Sequence, residues 1–180
     1  DRLVATAVDV SSVVISSPVP TASPTLGRSA FTVLSGGGQH TCGLASVGKA
    51  YCWGDNSSGQ LGTGSSGVNQ TTPVPIGGNV SFESLSTGAH HSCGLTASGS
   101  AYCWGYNFFG QIGDGTAGSS PNDHSADRSS PVAVNGGLTF STISAGFSST
   151  CALTKGGAAY CWGAPLGGVT PQPVGGNLSL

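Results

Sequence analysis

HTCGLASVGKAYCWG (40–54), HSCGLTASGSAYCWG (91–105) and STCALTKGGAAYCWG (149–163) are one pattern written three times in a chain of 180 residues. Each copy holds two cysteines ten positions apart, with Trp-Gly directly after the second. The pairs Cys42/Cys52, Cys93/Cys103 and Cys151/Cys161 account for all 6 cysteines. A pattern recurring at this spacing marks one supersecondary unit stacked beside its copies, and residues shared by every copy belong first to the scaffold.

Each copy reads as a hairpin. In the first, a turn on Ser46-Val47-Gly48 uses Gly48 to supply the positive φ of a bulged three-residue loop. Pairing then runs Ala45 with Lys49, Leu44 with Ala50, Gly43 with Tyr51 and Cys42 with Cys52. Counted outward, the cysteines fall on a non-hydrogen-bonded pair, where backbones approach most closely, at the near edge of disulfide reach. The same count serves Cys93/Cys103 around Gly99 and Cys151/Cys161 around Gly157. Disulfides are therefore expected; three pairs of reduced, buried cysteines acting as small apolar residues are the alternative. Zinc is a weaker reading, because ligating cysteines usually lie two to four residues apart.

Outward from the hairpins, each unit opens on a phenylalanine (Phe31, Phe82, Phe140). After the hairpin come WGDNSSGQLGTG from Trp53 and WGYNFFGQIGDG from Trp104, then TTPVPIGG from Thr71 and SSPVAVNGG from Ser129. Short apolar runs between Gly, Pro and Asn turns predict about four strands per unit. Four-stranded units of this length arranged radially are β-propeller blades. The predicted fold is all-β, a partial propeller of about three four-stranded blades.

The composite G-x-A-Y-C-W-G-x-N-x-x-G-Q-L-G, followed by P-V and then G-x-x-H-T-C-G-L, resembles the regulator of chromosome condensation (RCC1) repeat family. The form with paired cysteines resembles the version found in bacterial secreted and surface proteins. The resemblance covers residues 31–180, divided as a half repeat (31–47), two repeats (48–98 and 99–155) and a truncated repeat (156–180). It implies a closed ring of about seven blades, of which this chain supplies a part. Residues 1–30 read as a linker or the end of a preceding domain or blade. In the third copy Trp162-Gly163 runs into APLGGVTPQP without the Asn and Gly-Gln-Leu-Gly segment, which puts the outer part of that blade in question.

Composition narrows the function. Charged residues are only 7% of the chain and the net charge is −2. The cations Arg2, Arg28, Lys49, Arg128 and Lys155 are scattered, which argues against nucleic acid and an anionic membrane surface. No apolar run approaches the ~18 residues of a membrane span, so no membrane insertion is expected in this segment. The cysteine pairs point to an extracellular or cell-surface place.

Residues common to the copies are expected to be structural. His40 and His91 should bond to neighbouring backbone, the tryptophans and tyrosines should pack between blades, and Asn56, Gln60, Asn107 and Gln111 should hold turns. The candidate binding residues lie where the copies differ. Phe108 and Phe109 replace Ser57 and Ser58, and the second copy carries its extra length between Gly113 and Pro131. That segment holds Asp114, Asp123, His124, Asp127 and Arg128, and long loops on a rigid scaffold commonly bind partners. It lacks the spaced acidic pattern of a calcium loop, and no metal or other cofactor is expected. With one glutamate, Glu83, and no acid pair or nucleophile–base spacing, no enzyme is expected. The reading is a binding module with a protein or glycan partner. A lyase or glycosidase with its catalytic groups elsewhere, and an exchange factor for a small GTPase, are the alternatives.

Overall fold

The computed structural model describes residues 31–165 and 168–175. The expected linker or blade remnant over residues 1–30 lies outside them. Twelve strands form three four-stranded antiparallel sheets. The first contains β1 (Val33–Gly36), β2 (His40–Leu44), β3 (Ala50–Gly54) and β4 (Gln70–Pro75). The second contains β5 (Ser84–Thr87), β6 (His91–Leu95), β7 (Ala101–Gly105) and β8 (Arg128–Ala133). The third contains β9 (Phe140–Ala145), β10 (Ser149–Thr154), β11 (Ala159–Gly163) and β12 (Gly168–Pro173). In every sheet the strands lie side by side in chain order, the meander of a propeller blade. Among the described residues there is no α-helix, only 3-10 turns at Ser46–Gly48 and His124–Ala126.

The hairpin register is the one that the cysteine spacing predicts. Cys42 faces Cys52, Gly43 faces Tyr51 and Leu44 faces Ala50, with the Ala45 amide donating to the Lys49 carbonyl across the turn. Gly48 has φ +73°, a left-handed conformation that an L side chain resists. Three disulfides form, Cys42–Cys52, Cys93–Cys103 and Cys151–Cys161, each across a Cα separation of 4.1 Å.

The cores lie between blades. Cys42, Leu44, Cys52 and Leu61 of the first blade meet Phe82, Leu85 and Trp104 of the second. Cys93, Leu95, Cys103 and Ile112 of the second meet Phe140, Ala152 and Trp162 of the third. Trp104 and Trp162 are completely buried. Each indole hides ~150–250 Å², an upper limit of ~4–6 kcal/mol. Leu61 and Ile112 come from the Gln-Leu-Gly and Gln-Ile-Gly turns, so the connection after the third strand plugs the joint with the next blade.

A hydrogen-bonded clasp closes each joint and corrects the expectation that the histidines bond to backbone. The Ser92 hydroxyl donates to the Gln60 carbonyl at 2.9 Å, and the Trp104 indole N–H donates to the same oxygen at 2.9 Å. With its proton committed there, the Ser92 hydroxyl accepts from His40 Nε2 at 2.8 Å. That network assigns the Nε2–H tautomer and leaves His40 Nδ1 buried as a bare acceptor without a partner. The second joint repeats the geometry: Thr150 donates to the Gln111 carbonyl, Trp162 donates to it as well, and His91 Nε2 lies 2.9 Å from Thr150 Oγ1. The histidines and the glutamine turn of one blade thus grip the hydroxyl and indole of the next.

The third blade keeps its outer strand. β12 pairs with β11 through Tyr160–Pro173, Cys161–Gln172 and Gly163–Gly168, although the Asn and Gly-Gln-Leu-Gly segment is missing. Strand pairing needs backbone groups and a compatible register, and VTPQP supplies these as TTPVP does in the first blade. What the third copy lacks is the clasp donor, since Ser149 replaces the histidine and only residues 164–167 join its last two strands.

Candidate binding site on the loop side

Strand direction gives each blade two distinct ends. The tight β2–β3, β6–β7 and β10–β11 turns lie on one side. The turns before β2, β6 and β10 and the connections after β3, β7 and β11 lie on the other, called here the loop side. Lys49, Glu83 and Lys155 belong to the hairpin side. The segments 55–69 and 106–127 belong to the loop side.

The loops are built from the inside. Asn56 Oδ1 accepts from the Leu61 amide, its Nδ2 donates to the Ser65 carbonyl, and Gln60 Oε1 accepts from the Ser58 amide. Asn107 and Gln111 repeat these roles, accepting from the Ile112 and Phe109 amides. Both asparagines and both glutamines are buried, which fits their presence in both of the copies that have this turn. Across the longer second loop, Arg128 Nε donates to Asp114 Oδ2 at 2.7 Å and Arg128 Nη2 donates to Thr116 Oγ1. Asp123 accepts from the Ser119 amide and hydroxyl and from the Ser125 amide. These bonds hold the Asp123 carboxyl well below the usual carboxylate range, those from Ser125 first and those from Ser119 next. Asp127 accepts from the Asn107 amide at 2.9 Å and faces His124 Nδ1 at 2.7 Å.

On this scaffold sits an apolar cleft of about 380 Å³ lined by Ser57, Ser58, His90, Tyr106, Phe109, Pro121, Phe147 and Ser148. It draws on all three blades. Phe147, on the turn before β10, is 81% exposed, and Phe109 is 40% exposed. Large apolar side chains left open in one hollow mark an interaction surface more often than a packing accident. Phe108 stacks edge-on to Phe109 at 4.6 Å and lies against Tyr106, holding the visible ring from beneath. The Tyr106 hydroxyl donates to the Pro121 carbonyl, fixing the long loop against the cleft. Burial pushes the Tyr106 phenol up, and the Asp127 charge adds to the shift. Two larger hollows, about 470 and 480 Å³, open on the hairpin side; the first is lined largely by Ser, Thr, Gly and Ala, the second by a mixed set that includes Lys49, Tyr51, Ile76 and Val80.

Of the seven residues singled out in the sequence, Phe109 lines the cleft and Phe108 supports it. Asp123, His124 and Asp127 stand beside it, His124 at 6.1 Å from the Tyr106 ring. Asp114 and Arg128 form an ion pair at the loop base and do not reach the cleft. Phe147, Tyr106, His90 and Pro121 were missed. The signal that found Phe109 also marks them, because each occupies a position where the copies disagree. Phe147 stands where the others have Gly38 and Ala89, Tyr106 where they have Asp55 and Ala164, and His90 where they have Gln39 and Ser148. Pro121 lies in the extra segment of the second copy. The clasp histidines and glutamines are shared by the first two copies, whereas the cleft is built largely from residues that no two copies share.

Comparison with known sequences agrees with this architecture. The pattern described as "Regulator of chromosome condensation (RCC1) repeat" matches residues 31–60, 82–111 and 140–165, and a second pattern of that description matches 47–95. The chain belongs to the RCC1 repeat family. It is 34% identical over 129 residues to the probable E3 ubiquitin-protein ligase HERC4 of Homo sapiens, covering 69% of this chain and 11% of that protein. It is 32% identical over 150 residues to the probable E3 ubiquitin-protein ligase HERC3 of Homo sapiens, covering 81% of this chain and 14% of that protein. The chain thus spans only a small part of these relatives. Among solved structures, yeast RCC1 (Prp20) in complex with Kap60 superposes with a TM-score of 0.68 at 24% identity, over 83% of this chain and 38% of that one. Human WBSCR16 gives 0.70 at 19% identity, over 82% and 38%. These likenesses show the fold.

Proposed function

We propose that this chain is a non-catalytic protein-interaction module, part of a larger RCC1-type propeller, that docks its partner through the aromatic cleft on the loop side. The observation that carries the reading is the pairing of Phe147 and Phe109, open to solvent on a rigid, disulfide-stapled frame. A fixed frame keeps the ordering cost of binding low. Four aspartates, Asp55, Asp114, Asp123 and Asp127, are each engaged in hydrogen bonds within or between loop residues, which supports a recognition role over acid–base chemistry. No observation favours the lyase, glycosidase or exchange-factor alternatives, and nothing in the comparisons supports a glycan partner. One relative in fold, yeast RCC1, is bound to a protein, Kap60. The three disulfides support an extracellular or cell-surface setting. Among the described residues no helix is long and apolar enough to cross a membrane.

The test is site-specific photocrosslinking in the source cells, with p-benzoylphenylalanine at position 147 and, as a control, at the exposed Ala97 on the hairpin side. A discrete protein adduct at 147, absent at 97 and removed by Phe109→Ser, is expected. Equal adducts at both positions, or an adduct indifferent to Phe109→Ser, would refute the reading.

A further inference from the structure

Charge is distributed unequally between the two sides of the blades. The described residues of the hairpin side carry Lys49, Lys155 and Glu83, while the loop side carries Asp55, Asp114, Asp123, Asp127 and Arg128. Arg128 is spent on Asp114 at 2.7 Å. Asp55, Asp123 and Asp127 have no lysine or arginine partner among the described residues; Asp127 faces only His124.

All three lie beside the cleft, although none is among the residues that line it. Asp55 accepts from the backbone amide and hydroxyl of Ser57, which lines the cleft. Asp127 is bonded to the Asn107 amide next to Tyr106 and to His124, with its side chain only 8% exposed, and its charge acts on the Tyr106 phenol. Asp123 follows Pro121 by two residues and caps the short turn that presents His124 to the Tyr106 ring. An apolar, aromatic hollow thus has the half-buried carboxylates of Asp55 and Asp123 beside it and the enclosed charge of Asp127 nearby, with no free lysine or arginine among the described residues of that side.

Resting on the reading of the cleft as the partner-docking site, we propose that its occupant is the side chain of a lysine or arginine projecting from the partner protein. The long aliphatic stem of such a residue matches the apolar walls of Phe109, Phe147 and Pro121. Its charged head is drawn to aromatic faces and to the neighbouring carboxylates. A purely aliphatic side chain would fill the hollow but leave those charges unanswered. An acidic one would be repelled by them.

The experiment follows amide chemical shifts of the 15N-labelled protein during titration with four capped peptides, acetyl-Gly-X-Gly-amide, where X is arginine, lysine, norleucine or glutamate. Saturable shifts confined to Ser58, Tyr106, Phe109, Phe147 and Ser148 are expected with arginine and lysine. The norleucine and glutamate peptides should bind at least roughly fivefold more weakly. Asp55→Asn with Asp123→Asn, which keeps an acceptor at each position, should reduce the arginine affinity by roughly fivefold and leave norleucine unaffected. Phe147→Ser should abolish every shift. Norleucine binding as tightly as lysine would overturn the cationic occupant while leaving the docking cleft intact. No shift at the cleft with any peptide also overturns it, and an adduct at position 147 would then still uphold the docking reading.

Discussion

Lowering the pH from 7 to 5 will weaken the fold by about 4 kcal/mol, because two buried imidazoles must stay neutral to hold the blade joints. His40 is 3% exposed and His91 is fully buried. Each gives its Nε2 proton to a hydroxyl whose own proton is committed to a carbonyl, so a second proton would go to Nδ1, which is enclosed without an acceptor. Burial lowers His40 to about 4, with His90 adding to the shift and Asp55 opposing it. Burial lowers His91 to about 3, with His40 and His90 contributing. The ordinary value is 6.5 in both cases. A folded value below the unfolded one means that the unfolded chain binds the extra proton. Stability is therefore complete above 6.5 and is lost as pH falls toward the folded values. At pH 5 the unfolded imidazole lies 1.5 units above the pH, which amounts to about 2 kcal/mol for each histidine. Urea unfolding followed by the fluorescence of Trp104 and Trp162, which lie in the same clasps, reads the effect directly. His91→Gln should lower stability at pH 7 and remove about half of the pH dependence. A loss below about 1 kcal/mol between pH 7 and 5, or an unchanged slope in His91→Gln, would refute the assignment of neutral imidazoles whose Nδ1 atoms lack a partner.

Three further outcomes follow from the same frame. Alkylation under denaturing conditions should modify no cysteine before reduction and all 6 afterwards; replacing Cys93 and Cys103 together by alanine should cost about 2–3 kcal/mol, the chain-entropy value for so short a loop. Thr150→Val removes the hydroxyl joining His91 to the Gln111 carbonyl and should cost about 1–3 kcal/mol in urea unfolding. Gly113 has φ +77°, and a Cβ there would stand 2.6 Å from Trp162 Nε1. Gly113→Ala should therefore destabilise by about 2–4 kcal/mol, with a shifted tryptophan emission, whereas Gly157→Ala meets no atom and should cost only its backbone strain.

The parts of this structure that can be read from the sequence are those fixed by neighbours in the chain. Gly48 and the ten-residue cysteine spacing determine the hairpin register, and Cys42 faces Cys52 as counted. The roles of Asn56 and Gln60 were also legible, because both bond within their own loop. The histidine partners were not. His40 meets Ser92 and His91 meets Thr150 across blade boundaries, and no local pattern says which hydroxyl arrives there. The third blade misled for a related reason. Losing the Gly-Gln-Leu-Gly turn looked like losing the outer strand, yet β12 depends only on backbone pairing with β11, while the missing turn serves a joint with a neighbour. Phe147 carries a local signal, a phenylalanine where the other copies have Gly38 and Ala89, but its place beside Phe109 depends on how the second and third blades meet.

The central claim is that positions shared by the copies hold the frame and positions where they differ form the site. The most direct measurement is the affinity of the protein crosslinked at position 147 for the wild-type chain and for the double variant Phe109→Ser, Phe147→Ser. Both residues are already solvent-exposed, so the variant should unfold within about 1 kcal/mol of wild type while losing at least tenfold in affinity. Unchanged affinity with an intact fold would contradict the account.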